Sequence, residues 1–186
     1  MDLRLEPWSE SALSLLRRIN TPQMRHHVGG PESEEQLLAR HARYLAMPAA
    51  GRGCMFAVLL GEEMVGSIYH HRREWQNEQV YETGWNVLPS YQGRGIAAAA
   101  GAALVAVVRE DALRPGAPSG LHAFPSVDNA PSNALCERLG FTLRGACDFE
   151  YPAGSGTVMR SNDWRLDLTD PAPAPGPVGQ ASRRST

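Results

Sequence analysis

The segment Val87-Leu88-Pro89-Ser90-Tyr91-Gln92-Gly93-Arg94-Gly95-Ile96-Ala97 limits what this chain can fold into more than any other. A strand-like run ends at Pro89, which cannot donate to a ladder, and a turn with two glycines follows. A long small-residue stretch, Ile96 to Glu110, then has the composition of a helix. The first N–H groups of such a helix have no intrahelical partner and lie at the positive end of its dipole. Gly93 and Gly95 let the backbone approach a bulky anion without a Cβ in the way, and Arg94 adds a guanidinium. The physics is that of a pyrophosphate cradle.

The same residues, read from Gly93, also spell Gly-x-Gly-x-x-Ala, a dinucleotide fingerprint. Against that reading, Pro89 to Gln92 separate the strand from the first glycine, whereas a Rossmann turn begins directly after its strand. No acidic residue ends the next strand, Leu121 to Phe124, and a single βαβ unit is evident. The dinucleotide reading therefore ranks well below a cradle for another pyrophosphate-bearing ligand.

Around this turn the chain alternates in a legible way. Leu3-Arg4-Leu5-Glu6 reads as a strand running into a helix capped by Ser9 and ending at Ile19. Ser33-Glu34-Glu35-Gln36 is a capping box for a second helix that stops near Met47-Pro48. Strands are expected at Cys54–Leu60, Val65–Arg72 and Val80–Leu88, with a hairpin turn at Gly61-Glu62-Glu63. After the long helix come a strand at Leu121–Phe124 and a short helix, Ser132–Leu139, closed by Gly140. A final antiparallel pair follows at Phe141–Tyr151 and Val158–Leu168. The order predicts an α+β fold whose antiparallel sheet switches to a parallel crossover in the middle. Residues 1–169 form one domain in this reading, and the Pro/Ala/Gly-rich stretch 170–186 is a mobile tail.

Composition removes several function classes. The formal charge of −2 and a pI near 6.3 leave no basic footprint for nucleic acid. All 18 positive side chains are arginine, because the 186 residues contain no lysine. The three cysteines, Cys54, Cys136 and Cys147, form no CxxC pair and no metal spacing with the six histidines. Scattered cysteines fit a reducing cytoplasm, no signal pattern opens the sequence, and Ile96–Val108 is too short to span a bilayer.

Two blocks carry a family resemblance. Gln92-x-x-Gly95-x-Ala97 matches the Gln/Arg-x-x-Gly-x-Gly/Ala signature of the GNAT acetyltransferase superfamily. Asn129-Ala130-Pro131-Ser132 leading to Leu139-Gly140-Phe141 resembles its second hallmark, Asn-x-x-Ser before a short helix ending in Leu-Gly-Phe. The element order agrees over Leu3 to Leu168, and the ribosomal-protein N-terminal acetyltransferases are the most similar branch. The resemblance implies the GNAT fold, with acetyl-CoA as cosubstrate wedged between two splayed parallel strands, and no metal. Backbone groups of Asn86, Val87 and Leu88 would pair with pantetheine. Gln92, Gly93, Arg94, Gly95, Ile96, Ala97 and Ala98 would hold the pyrophosphate, and Asn129 and Asn133 would touch the pantetheine arm. Asn129 also reads as a plain helix cap. A primary amine, on a small molecule or a peptide, would be the acceptor. Homodimers are common in the family.

Acetyl transfer needs a proton acceptor for the amine and a donor for the leaving thiolate. Glu82, on the strand leading into the cradle, and Glu150 are the two candidate bases that the resemblance implies. Lining up on Leu139-Gly140-Phe141, Cys136 stands where many members carry a tyrosine acid, and Ser132 is the alternative donor. Buried packing is the plainer reading of Cys136, and capping that of Ser132. Arg72, Arg73 and Glu74 read as a solvated strand end, and His70 and His71, on opposite faces, share no ligand set. Trp75, Trp85 and Trp164 read as core or cleft walls. An acyl-CoA-binding module that senses without turnover is the competing function.

Overall fold

The computed structural model describes residues 1–151 and 156–170. The expected tail therefore lies outside the described residues from position 171 onward. Among the described residues seven strands form one sheet in the order β1-β2-β3-β4-β5-β7-β6. They are β1 (Leu3–Pro7), β2 (Gly53–Leu60), β3 (Glu63–Trp75), β4 (Glu78–Val87), β5 (Gly120–Ala123), β6 (Thr142–Glu150) and β7 (Val158–Asp167). Four α-helices accompany them: α1 (Leu13–Ile19), α2 (Glu34–Ala46), α3 (Ile96–Ala112) and α4 (Ala130–Arg138). The sheet is antiparallel except at β4–β5, which is parallel, as expected of an α+β chain with one crossover in its middle.

The sheet separates two cores, and the alternation of β2 shows how. Phe56 and Val58 pack with Ile96, Ala100, Leu104 and Val108 of α3 on one face. Met55, Ala57 and Leu59 pack with Leu15, Leu16 and Ile19 of α1 and Leu37 of α2 on the other. A strand covered on both faces reads as a continuous apolar run, which is what Cys54 to Leu60 is. Gly101 lets α3 meet α4: a Cβ there would stand 2.5 Å from Leu139 Cδ1.

Helix ends follow their local chemistry. The Ser33 hydroxyl accepts from Gln36 N–H while the Gln36 side chain accepts from Ser33 N–H, completing the capping box. Gly140, at φ +84°, closes α4 with its own N–H bonded to Glu137 O and the Phe141 N–H bonded to Cys136 O. One expectation changes form. The helix after Ser9 begins as a 3-10 turn, Glu10–Ala12, and becomes α-helical at Leu13. Ser9 makes no side-chain cap; its hydroxyl meets that of Ser11 instead.

Candidate active site

The parallel pair β4–β5 is bonded over Tyr81–Leu121, Glu82–His122 and Thr83–Ala123 and then opens. A cavity of about 130 Å³ occupies the opening, walled by Trp85 and Asn86 on one side and by Phe124, Ser126, Asn129 and Ser132 on the other. The parting follows from direction. Beyond Val87 the chain turns through Pro89–Tyr91 towards α3, while beyond Ala123 it turns through Pro125 towards α4.

At the open end of β4 the glycine turn has the expected form. Gly93 and Gly95 adopt φ +72° and +78°, where a side chain is strained. A Cβ at either would meet nothing within 4 Å, so the space before the backbone is free. Gly95 caps α3; its carbonyl takes the Ala99 N–H, which leaves the N–H groups of Ile96, Ala97 and Ala98 outside the helical ladder. No side chain caps this end and no acidic residue occupies its first turn. Gln92 Nε2 donates to Val87 O at 2.8 Å, tying the turn back to the strand, and Arg94 lies over the Tyr91 ring. These groups fit a pyrophosphate.

The backbone of β4 sharpens the pairing expectation. Leu88 N–H bonds to Val65 O and its carbonyl accepts from Tyr91 N–H, while Asn86 O is directed at Gly66 of β3. Bonding alternates along an antiparallel ladder, so Trp85 and Val87 are the residues that face the opening. The expected groups at Asn86 and Leu88 are thus already used within the sheet and the turn that follows it.

On α4 the assigned residues divide. Asn129 caps the helix, its Oδ1 accepting from Ser132 N–H at 3.2 Å, and both side chains also wall the cleft. Asn133 is a structural tie: Nδ2 donates to Ser126 O and Asn129 O, and Oδ1 accepts from Asn162 Nδ2 and Trp164 Nε1. Those bonds use its full capacity, so its side chain has nothing left for a cofactor. Cys136 is fully buried in the core beneath α3, and burial pushes its thiol up to about 12. It packs; it does not wall the cleft.

Glu82 lies where the cleft meets a second cavity, of about 390 Å³, that is also walled by Arg40, Tyr44, His71, Glu150 and Tyr151. The Tyr69 hydroxyl donates to Glu82 Oε1 at 2.7 Å, and Arg73 Nη1 donates to Oε2 at 2.6 Å. His71 Nε2 stands 3.5 Å from the same Oε2, with its ring stacked on Tyr69. Burial lowers the His71 pKa, with Arg73 adding and Glu82 opposing, so the imidazole is neutral at pH 7. Burial also holds the Tyr69 phenol well above its usual range and the Tyr151 phenol at about 12. Glu150 accepts from Gly156 N–H at 2.7 Å.

The strand-end reading of Arg73 is corrected here. β3 runs on to Trp75, and Arg73 is half-buried, paired with Glu82 and lying over the Phe149 ring. Tyr69, His71, Arg73 and Trp75 occupy one face at strand period two. That row is present in the sequence, but its polar members break the apolar alternation that marks a strand. His70 faces the other core, beside Phe56 and Tyr81. Trp85 is a cleft wall, as expected.

Comparison with known proteins agrees with this geometry. The family described as Acetyltransferase (GNAT) domain matches residues 2–142. No curated protein sequence matches the chain. Among solved structures, the ribosomal L7/L12 alpha-N-protein acetyltransferase RimL in complex with coenzyme A superposes with TM-score 0.71 at 23% identity, over 89% of this chain and 93% of that one. An acetyltransferase from Agrobacterium tumefaciens gives 0.66 at 25% identity, over 88% and 90%. The aminoglycoside acetyltransferase AAC(6')-Ib in complex with coenzyme A gives 0.71 at 17% identity, over 89% and 95%. Among the described residues no helix is long and apolar enough to cross a membrane, and no group of metal-binding side chains is found. A family match over most of the chain, a sheet that opens at one parallel pair and a glycine-capped helix at the opening place the chain in the GNAT acetyltransferase family.

Proposed function

We propose that the chain transfers an acetyl group from acetyl-CoA to a primary amine by direct attack in a ternary complex. The observation that carries the reading is the position of Glu82, which walls both the cleft between β4 and β5 and the second cavity. A thioester entering from the first side and an amine entering from the second would meet beside it. Acetyl-CoA supplies an activated carbonyl: the amine nitrogen forms the new bond to carbon as the carbon–sulfur bond breaks.

The chain's own groups would do the rest. The Trp85 backbone and the Val87 N–H offer partners to the pantetheine, the Val87 carbonyl being taken by Gln92, and the N–H groups of Ile96 to Ala98 offer donors to the pyrophosphate. Glu82 is held by Tyr69 and Arg73, so we assign it to orienting His71, whose neutral ring accepts the amine's proton. Tyr151, a protonated phenol on the wall of both cavities, returns a proton to the thiolate; Ser132 is the other donor on the cleft wall. The same reading takes residues 1–169 as the catalytic domain and a reducing cytoplasm as its setting, consistent with three free cysteines.

Release of free thiol from acetyl-CoA across a panel of amines tests the proposal, with CoA binding followed in parallel by thermal melting. Turnover on at least one amine supports it. Binding without turnover on every amine would favour a sensing module, and a melting shift with NAD(H) instead of CoA would return the dinucleotide reading.

A further inference from the structure

The second cavity has a wall rich in charged side chains, and one face of α2 supplies part of it. Arg40, Arg43, Tyr44 and Met47 follow one another at spacings of three, one and three, which brings them to the same side of the helix. With Arg52 and Arg73, the wall carries four arginines against three glutamates, Glu32, Glu82 and Glu150. Two of the arginines are already committed. Arg40 Nη2 stands 2.6 Å from Glu32, which Arg25 also approaches, and Arg73 is paired with Glu82. Arg43 and Arg52 are exposed and have no side-chain partner among the described residues. Tyr44, Met47, Met55, Tyr69 and Tyr151 line the same cavity as these two cations and Glu82 with aromatic and thioether surface.

From this arrangement we infer that the acceptor is an amine bearing a carboxylate, its amine directed to His71 and Glu82 and its carboxylate held by Arg43 and Arg52. The inference rests on the acetyl-transfer reading and adds the substrate class to it. A guanidinium binds a carboxylate through two parallel hydrogen bonds, so two free arginines at a cavity mouth select the anion by geometry as well as charge. Polyamines and aminoglycosides carry further ammonium groups, which would sit against Arg43 and Arg52 as like charges. The apolar wall suits the carbon skeleton of an amino acid or the first residues of a peptide. A cavity of about 390 Å³ holds a few such residues and no more.

Steady-state kinetics on matched acceptors test this. Leucine against leucinamide reads a free amino acid, and the peptide amides Ala-Asp-Asp, Ala-Asn-Asn and Ala-Lys-Lys read a chain N-terminus with negative, neutral or positive neighbours. Spermidine and kanamycin represent polycations. We expect the carboxylate member of at least one pair to exceed its neutral counterpart by about tenfold in kcat/KM, mostly through KM, with the advantage shrinking as salt rises. In an Arg43→Glu, Arg52→Glu double variant the ratio should fall to one or below while the melting temperature stays within about two degrees of the parent. Equal rates on neutral and carboxylate acceptors, a preference for polycations, or a ratio unchanged in the double variant would each overturn the inference while leaving acetyl transfer intact. No thiol release on any acceptor, with CoA still raising the melting temperature, would overturn both.

Discussion

At the residue scale, Glu82 is a carboxylate with both oxygens occupied, by a tyrosine and an arginine, in a place with little water. Removing its charge leaves Arg73 facing Tyr69 without a counter-ion. Breaking a buried pair from one side costs about 3–5 kcal/mol, reduced here because Arg73 keeps some exposure. Glu82→Gln should therefore lower stability by about 2–3 kcal/mol in urea titration and cut kcat by about 100-fold. Glu150→Gln, on the wall of the second cavity, should leave kcat within about threefold of the parent. The neighbouring histidine, as the proposed base, sets the expected pH behaviour. His71 is held below its ordinary value by burial, so its neutral, proton-accepting form persists down to a pH below 6.5 and is lost as pH falls through the lowered folded value. The log of kcat/KM should fall on the acid side of that point, and His71→Gln should flatten the fall. His70, on the other face and also lowered by burial, adds stability that is full above the unfolded value and lost as pH falls through the folded one. His70→Leu should narrow the drop in melting temperature between pH 7 and pH 5, measured against the parent in matched buffers.

Elements differ in how openly the sequence declares them. The capping box at Ser33, the C-terminal glycine at Gly140 and the glycine turn before α3 are each set by a few neighbouring residues, and all three are legible in the sequence. The extension of β3 to Trp75 is not. Its end pairs with β4 through a two-residue turn at Gln76-Asn77, both held at positive φ, a turn that lacks the glycine by which such hairpins announce themselves; the distant bond from Trp75 Nε1 to Asp163 leaves no local pattern either. The same limit applies to Asn133, whose four bonds reach β7 and the loop before α4. Family position pointed it at a ligand; the packed chain gives it a different occupation. Asn133→Ala would leave the donors of Asn162 and Trp164 without that acceptor and should cost about 1–3 kcal/mol in chemical denaturation. Gly95→Ala tests the cradle itself. Holding an alanine near φ +78° costs about 1–2 kcal/mol, and relaxing it would turn the first N–H groups of α3 away. CoA affinity, read by calorimetry, should fall at least tenfold while the far-ultraviolet circular dichroism stays that of the parent.

For the whole molecule, the relevant fact is that one continuous sheet is joined across its middle by only the short β4–β5 ladder. Ligand that fills the opening binds the folded state alone, so at 100 times its dissociation constant it adds about 2.7 kcal/mol, a shift of about 5–10 °C for a domain of this size. Differential scanning fluorimetry with CoA reads that directly. The short ladder also has a mechanical meaning. The strands before it and those after it each belong to their own bonded set, so the chain behaves as two plates sharing a narrow seam. A molecule laid along the seam acts as a rivet, bracing both plates without touching most of either. Amide hydrogen exchange should register this at a distance: protection on loading would rise at Trp85 and Val87, and also along β5 and β7, which would make no contact with the pyrophosphate.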